Sequence, residues 1–250
     1  PSWMSEKGWP PLEEEPSAQR GQRQVTTSEH RFQATETTGE VSAILVRPED
    51  ARWMYVFGHG SGAGMRHVFM EECAALLAIH GVATFRYQFP YMEAGQSIPN
   101  RAPVLIETVR SAVGAAESLE PDLPLLAGGK SMGGRMTSAA AALRPLGSVL
   151  GLAFFGFPLH PSGRESSERG DHLRNVGLPM LFLQGSRDKL ANLSLLGSLL
   201  DGVGPLATLN VLHGADHGFH VLKRSGRTES EVLEEACVGF SKWARKLVAC

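Results

Sequence analysis

The sequence predicts an α/β fold in which a mostly parallel central sheet is flanked by helices on both faces. Short apolar runs of strand length alternate along the chain with longer segments whose apolar residues have helical spacing. Several of the short runs, such as residues 53–57, are apolar at every position, as expected for strands covered on both faces. Because parallel strands are joined by crossover helices, this alternation favours a parallel sheet between two helical layers.

The predicted elements follow one another in a regular order from residue 30 onward. The first two predicted strands surround a turn at Thr38-Gly39, so they should pair with each other. The predicted strands cover residues 30–35, 41–46, 53–57, 82–85, 125–128, 149–155, 180–183 and 207–212. The predicted helices cover 68–79, 103–119, a segment that follows the fifth strand and ends at 143, then 193–200 and 231–248.

Residues 1–23 differ in composition from the rest of the chain. They are rich in Pro, Glu, Ser, Gln and Arg. Such a composition is typical of segments that do not join a core, so we expect a mobile N-terminal arm. No repeat and no internal boundary interrupts residues 24–250, which are expected to form a single domain.

The composition is that of an ordinary globular protein, and it argues against several functions. The chain has 250 residues, of which 42% are hydrophobic, and a formal net charge of −2. Because this charge is near neutral and the Lys and Arg residues are scattered, we expect no nucleic-acid partner. No apolar run reaches membrane-spanning length and no secretory apolar segment begins the chain, so a cytoplasmic protein without membrane contact is predicted. The three cysteines form no disulfide framework, in keeping with that compartment.

The stretch around Ser131 carries the strongest functional signal. An apolar run over residues 125–128 leads into Gly129-Lys130-Ser131-Met132-Gly133, and an alanine-rich helical segment follows. Strand, sharp turn and helix in this order are the context of a nucleophile elbow, which lifts the serine hydroxyl clear of the sheet. Side chains at Gly129 and Gly133 would collide where strand and helix cross. The pattern therefore predicts that Ser131 is the nucleophile of a serine hydrolase.

Three other interpretations of the glycine-rich segments remain open. Residues 129–131 also match the end of a phosphate-binding P-loop, although Pro124 stands where that motif needs a glycine. Residues 58–63 have the form of a dinucleotide-binding turn, but the next predicted strand is followed by Arg86 and not by the acidic residue that holds a ribose. A glycine-rich turn without chemistry is the third interpretation.

Two residues downstream of Ser131 complete a predicted catalytic triad. A serine hydroxyl needs a base to take its proton and a carboxylate to orient that base, and after a nucleophile elbow the acid precedes the base along the chain. Asp188 follows the predicted strand 180–183, and His217 lies in the loop after 207–212. Because carboxyl ends of parallel strands meet at one sheet edge, Ser131, Asp188 and His217 are expected to lie together.

Neighbouring side chains offer alternatives for the base and the acid. His213 and His220 flank His217, which is favoured because the glycines on either side of it give its loop the freedom to fold over the serine. Asp216 is the alternative acid, although its adjacency to His217 makes the geometry awkward. A metal-dependent hydrolase built on these histidines is a weaker hypothesis, since partner carboxylates with ligand spacing are missing, and no metal is predicted.

The oxyanion that forms during acyl transfer needs two backbone N–H donors. One predicted donor is Met132, which follows the nucleophile at the start of its helix. The other is expected in the glycine-rich loop 58–64, where Ser61 is the first choice and Gly62 the next.

Several blocks of the sequence match a known family. The blocks are 59–64, 85–95, 129–135, 155–161, 183–188 and 216–217. Together they resemble the α/β-hydrolase branch named after testis-expressed and KANSL-type chromatin regulatory proteins, often described as dienelactone-hydrolase-like. The resemblance runs from about residue 40 to the end and implies an α/β-hydrolase fold with Ser131, Asp188 and His217 at the triad positions. The serine departs from true dienelactone hydrolases, which use cysteine, so their substrate is not implied.

Two loop segments are expected to shape the substrate pocket. Residues 87–101 follow a strand end, and residues 157–171 form the only sizeable insertion between the late strands. This insertion is too short for a large lid domain, which favours an open, shallow site. The predicted pocket residues are His59, Tyr87, Phe157 and His160.

The favoured hypothesis is a hydrolase that cleaves an ester or related acyl bond of a small-molecule substrate. The reaction would pass through an acyl-enzyme on Ser131 and need no metal or organic cofactor. A carboxylesterase is the most general form of this hypothesis, and thioesterase or peptidase activity also fits. The alternative is a catalytically silent protein-interaction module, because some members of the resembling family are regulatory proteins.

Overall fold

The computed structural model describes residues 24–248 of the chain. The predicted arm at 1–23 lies outside the described residues. Within them, the strands are β1 (Val25–Thr35), β2 (Gly39–Pro48), β3 (Trp53–Gly58), β4 (Val82–Tyr87), β5 (Leu125–Lys130), β6 (Val149–Phe155), β7 (Met180–Gly185) and β8 (Ala207–Leu212). The α-helices are α1 (Val68–Ile79), α2 (Pro90–Glu93), α3 (Ala102–Leu119), α4 (Met132–Leu143), α5 (Leu193–Val203) and α6 (Glu229–Val248).

The described strands form one sheet in the order β1-β2-β4-β3-β5-β6-β7-β8. β2 is antiparallel to both β1 and β4, whereas the neighbours from β4 through β8 are parallel. The chain runs from β3 to β4 on one side and later returns to β5 on the other. The carboxyl ends of β3 and β5 therefore meet at a topological switch point, where parallel sheets form their ligand crevice. Gly58 and Gly129 pair at this point.

The core has two main parts, one on each face of the sheet, and a small third cluster of Ile44, Val46, Met65 and Ala78. Alternate residues of β3 belong to different apolar clusters: Met54 and Val56 to one, Tyr55 and Phe57 to the other. The first cluster includes buried residues of α3, α4 and α5, and the second includes those of α1 and α6. The predicted arrangement of a mostly parallel sheet with helices on both faces is thus confirmed, and the described chain contains no large lid domain.

The structure differs from the prediction mainly at the ends of elements. β1 begins at Val25 instead of residue 30, because the exposed and largely polar stretch before His30 pairs with the second half of β2 and shows no apolar alternation. The short α2 and a 3-10 helix at Glu168–Asn175 lie inside segments that the sequence pattern marks as loops. No helix between residues 24 and 248 is both long and apolar enough to cross a membrane.

Candidate active site

Ser131 lies in the sharp turn between β5 and α4. Its backbone has φ 51° and ψ −113°, in the positive-φ region that disfavours a residue with a side chain. The strand and helix that flank it cross closely at two glycines. A Cβ on Gly129 would lie 2.5 Å from the Gly58 carbonyl oxygen, and a Cβ on Gly133 only 2.3 Å from the same atom. The glycines of Gly-x-Ser-x-Gly are therefore required because the Gly58 backbone comes too close to leave room for a side chain, in keeping with the elbow motif.

Ser131, His217 and Asp188 form one chain of hydrogen bonds. Ser131 Oγ lies 2.9 Å from His217 Nε2, and His217 Nδ1 lies 2.7 Å from Asp188 Oδ2. An ionised carboxylate only accepts hydrogen bonds, so Nδ1 carries the proton and Nε2 presents its lone pair to the serine hydroxyl. The geometry can thus move a proton from Ser131 to His217 while the imidazole keeps its orientation.

The carboxylate of Asp188 is held from two further directions. Its side chain is fully buried, Oδ1 accepts the Leu190 N–H at 2.7 Å, and Oδ2 also accepts the Gln184 side-chain amide at 2.6 Å. The oxygen of the same amide accepts the N–H of Phe157 at 2.9 Å. Sequence reasoning missed Gln184, whose only signal is a polar residue in an otherwise apolar strand end, two residues before the loop that carries Asp188.

The alternative acid and bases have other partners, and the histidine bound to Ser131 Oγ is His217. Asp216 accepts the backbone N–H groups of Gly218 at 2.8 Å and His220 at 3.0 Å, so its carboxylate shapes the loop of His217. His213 is exposed, and the His220 ring, with 63% of its side chain exposed, faces Asp216 and another carboxylate on α6. Among the described residues, no group of three or more His, Cys, Asp or Glu side chains is arranged to hold a metal ion.

The glycine-rich loop after β3 packs against the serine. A Cβ placed on Gly60 would lie 3.7 Å from Ser131 Cβ, and the Ala63 N–H donates to the Gly60 carbonyl at 3.3 Å to close a turn. Gly62 occupies the third position of this turn with φ 76°, a conformation that favours glycine. Ser61 lines the cavity beside Ser131, whereas Gly62 lines a separate depression on the other side of the loop.

Met132 is the first residue of α4, one residue after Ser131. The first N–H groups of a helix have no partner within that helix, so they are available to an anion at its N-terminus. Met132 is nearly buried at 7% exposure, which keeps its backbone in a partly dehydrated environment. The structure thus brings a helix N-terminus and the turn of Ser61 to the same serine.

A cavity of about 320 Å³ opens beside Ser131 and His217. Its apolar lining comes from the start of α1, the loop after β8 and α6, with the side chains Val68, Phe69, Met70, Phe219 and Leu233. Its polar lining includes Lys130, and Glu72 and Glu229 add two carboxylates. Sequence reasoning missed these α1 and α6 residues, because the apolar spacing of a helix does not show which of its residues will lie near Ser131 and His217.

Phe157 and His160, two of the predicted pocket residues, lie in the core and do not line this cavity. Both are almost completely buried, at 0% and 2% exposure. The Phe157 backbone is bound to Gln184, and the His160 ring accepts the Asn192 N–H at 2.8 Å and donates to the Pro161 carbonyl at 2.9 Å. The segment folds inward because these hydrogen bonds tie it to the β7 end and to the start of α5.

His59 and Tyr87, the other predicted pocket residues, are also buried and do not line the cavity. The Tyr87 ring packs edge-to-face on Phe89 with 5.2 Å between ring centres. His59 Nδ1 donates to the Gly60 carbonyl at 2.8 Å, and Nε2 accepts the Phe89 N–H at 3.1 Å. The His59 ring therefore joins the loop after β3 to the loop after β4, and it fixes the loop that packs against Ser131.

Burial lowers the pKa of His59 to about 4, although its contact with the Gly60 carbonyl works in the opposite direction. The neutral ring satisfies both neighbours, whereas a protonated Nε2 would face the Phe89 N–H with a second donor. In the unfolded chain the imidazole has its ordinary pKa of about 6.5. Between about pH 4 and pH 6.5, the imidazole is therefore protonated in the unfolded state and neutral in the folded state.

We expect the free energy of unfolding to fall as the pH drops from about 6.5 to about 4. The part due to His59 is about 3 kcal/mol, following from the two pKa values. Urea unfolding across this range should show a shallower pH slope in His59→Gln than in the wild type. The matched control is His213→Gln, which changes an exposed imidazole and should keep the wild-type slope; equal slopes in all three proteins would contradict the prediction.

Residues 51–245 match the alpha/beta hydrolase domain family, and the chain belongs to this family. Family membership supports a hydrolytic function. Among solved structures, dienelactone hydrolase from Anabaena variabilis is 20% identical with a TM-score of 0.67, covering 87% of this chain and 96% of that chain.

Two further structures share the fold. An alpha-beta serine hydrolase homologue from Coxiella burnetii is 18% identical with a TM-score of 0.69, covering 85% of this chain and 96% of that chain. A protein of Xanthomonas campestris, described as an α/β serine hydrolase without lid, is 18% identical with a TM-score of 0.67, covering 87% and 94%. At these identities the likeness concerns the fold.

Proposed function

We propose that this protein is a serine hydrolase that cleaves an ester or related acyl bond through an acyl-enzyme. The observation that carries the proposal is the hydrogen-bonded chain from Ser131 Oγ through His217 to Asp188, at 2.9 and 2.7 Å, on the wall of an accessible cavity. A glycine-rich turn without chemistry would not require a hydroxyl, an oriented imidazole and a buried carboxylate to lie in line.

In the proposed reaction, Ser131 Oγ attacks the carbonyl carbon of the substrate while His217 Nε2 takes its proton. The N–H groups of Met132 and Ser61, with Gly62 as the alternative, would stabilise the oxyanion that forms. His217 then protonates the leaving group, and the acyl group stays on Ser131. A water molecule, deprotonated by the same imidazole, attacks the acyl-enzyme and releases the acid.

The proposed substrates are small esters with short acyl groups, as for a carboxylesterase. The cavity of about 320 Å³ has an apolar lining that suits a hydrocarbon chain, and the described chain has no lid to cover a longer one. Thioesters and peptides contain the same reacting carbonyl and are less general forms of the proposal. We further propose that the chain falls in the testis-expressed/KANSL-type branch, which the sequence blocks around Ser131 and Asp188 support.

Two more features belong to the proposal. A cytoplasmic location is supported by Cys73 and Cys237, which are buried as free thiols. A single domain over residues 24–250 is supported by the continuity of the eight-stranded sheet in the described part of the chain.

The alternative function, a catalytically silent interaction module, makes the opposite prediction about Ser131. A module of that kind needs the fold but has no use for a proton path from a serine hydroxyl to a buried carboxylate. The contacts of His217 on both sides therefore favour the hydrolase.

Reaction with a fluorophosphonate probe tests the proposal. Ser131 Oγ should displace fluoride from phosphorus, and intact-mass analysis should show one added phosphonyl group in the wild type. Ser131→Ala should remain unlabelled, and His217→Ala should react at least ~100-fold more slowly, because general-base assistance is lost. His213→Ala, a histidine of the same loop, should label like the wild type. Labelling that persists in Ser131→Ala, or folded wild-type protein that never reacts, would overturn the proposal, the second outcome in favour of the interaction module.

A further inference from the structure

The side chain of Lys130, directly before Ser131, is enclosed by the loop that carries His217. Its ammonium group donates a hydrogen bond to the backbone carbonyl of His217. The same nitrogen lies 4.7 Å from the centre of the Phe219 ring and 5.0 Å from that of Phe69. A cation over an aromatic face is attracted by the ring quadrupole, so one ammonium binds this loop at two points and α1 at a third.

The surrounding backbone leaves a space for this ammonium. Gly156, at the end of β6, has φ 70°, and a Cβ there would lie 2.8 Å from Lys130 Nζ and 3.3 Å from the His217 carbonyl oxygen. Within residues 24–248, Ser131 and Phe219 are the two non-glycine residues with positive φ. The elbow and the histidine loop thus each contain a strained residue next to this contact, and strain persists only where surrounding interactions impose it.

The charge of Lys130 is balanced by groups of the site itself. Burial lowers the pKa of Lys130 to about 8, while the nearby carboxylates of Asp188 and Asp216 and the Cys73 thiol act in the opposite direction. The group is therefore mainly cationic at neutral pH. A partly buried cation costs free energy unless it is paired, and the groups that offset this cost are the His217 carbonyl, the Asp188 carboxylate and the rings of Phe69 and Phe219.

We propose that Lys130 is a positioning residue that fixes the loop of His217 against Ser131. This inference rests on the proposed function. The ring of His217 contacts Ser131 and its backbone carbonyl contacts Lys130, so two adjacent residues of the elbow hold both ends of the histidine. The distance between Ser131 Oγ and His217 Nε2 is then fixed by the contact of the adjacent Lys130 with the His217 backbone. The recorded partners of the ammonium are the His217 carbonyl and the rings of Phe69 and Phe219, and none of them is a reacting atom, although Lys130 also lines the cavity.

Lys130→Met tests this role because it keeps most of the aliphatic stem and removes the charge. We expect kcat for a short p-nitrophenyl ester to fall about 100-fold, as for a misplacement of about 1 Å, with KM changed by less than about two-fold. Hydrogen exchange of the backbone over residues 213–220 should become faster. A raised KM with unchanged kcat would instead indicate substrate binding by Lys130, and unchanged kcat and exchange would also overturn the proposal.

Ser111→Ala is the matched control for a purely structural effect. It removes one side-chain hydrogen bond, from Ser111 Oγ to the Ala34 carbonyl at 2.8 Å, between α3 and β1. Its kcat and the exchange of residues 213–220 should stay at wild-type values. If Lys130→Met does not fold, Lys130→Gln provides the second test, because it also removes the charge while leaving His217 itself untouched, and it should lower kcat in the same direction.

The exchange measurement separates this inference from the proposed function. In an inactive Ser131→Ala background, adding Lys130→Met should still accelerate exchange over residues 213–220. Faster exchange in a protein that never reacts with a fluorophosphonate would overturn the hydrolase and leave the loop contact in place. Labelling that depends on Ser131, with no effect of Lys130→Met on kcat or exchange, would overturn only the positioning role.

Discussion

Asp188→Asn is expected to lower kcat for ester hydrolysis by about 10⁴-fold in a protein that still folds. The carboxylate accepts hydrogen bonds from His217 Nδ1, from the Gln184 amide and from the Leu190 N–H. An asparagine has one acceptor oxygen in place of two. When that oxygen accepts the Leu190 N–H, its NH₂ group faces His217, and the imidazole must accept at Nδ1 and carry its proton on Nε2. That tautomer cannot take the proton of Ser131.

Steady-state kinetics of Asp188→Asn and Asp216→Asn measure this effect. The control changes a carboxylate of the histidine loop that accepts the backbone N–H groups of Gly218 and His220, which an asparagine oxygen can also accept. Asp216→Asn should therefore retain kcat within about three-fold. Near-normal kcat in Asp188→Asn would mean that Asp188 does not orient the base, and a comparable loss in both variants would mean that the loss is not specific to the carboxylate that contacts His217.

Gly133→Ala is expected to destabilise the fold by more than about 4 kcal/mol, the range of severe steric defects. The added methyl carbon would lie 2.3 Å from the Gly58 carbonyl oxygen, 2.4 Å from the Gly58 carbonyl carbon and 2.8 Å from the His59 carbonyl oxygen. These are backbone atoms at the end of β3, so no side-chain rearrangement relieves the contact. Either α4 moves away from the sheet or the elbow opens.

Urea unfolding followed by circular dichroism measures this loss, with Gly114→Ala as the control. Gly114 lies in the middle of α3, is exposed, and a Cβ there would have no other atom within 4 Å. Alanine in an open helix interior should stabilise the protein by about 0.5–1 kcal/mol. A Gly133→Ala variant that unfolds at the wild-type urea concentration would show that α4 does not pack as closely as the structure has it.

The sequence was sufficient to predict what depends on local pattern. Buried parallel strands are continuous apolar runs, so β3, β5, β6 and β7 could be found without a partner in view. The elbow is equally local as a pattern, because Gly129, Ser131 and Gly133 lie within five residues, even though the Gly58 carbonyl that requires the glycines belongs to the distant β3. The position of each loop after a strand end then placed Asp188 and His217 near the serine.

The parts that sequence reasoning missed depend on which way a loop folds. Phe157 and His160 were predicted at the pocket because their segment is the only sizeable insertion between the late strands, but hydrogen bonds to Gln184 and Asn192 turn the segment inward. The cavity wall comes instead from Phe69 on α1 and Leu233 on α6, which lie far apart in sequence. No period or spacing within either helix indicates that they face the same cavity.

The backbone angles of Ser131 have a consequence for how this chain can change. A residue at φ 51° carries a conformational cost that glycine would avoid, and glycine cannot supply a hydroxyl. Thermodynamic robustness and reactivity therefore make opposite demands on position 131. Selection of this chain for resistance to unfolding alone, by random mutagenesis for example, should accept the loss of the nucleophile, so any stabilised variant has to be screened for turnover as well.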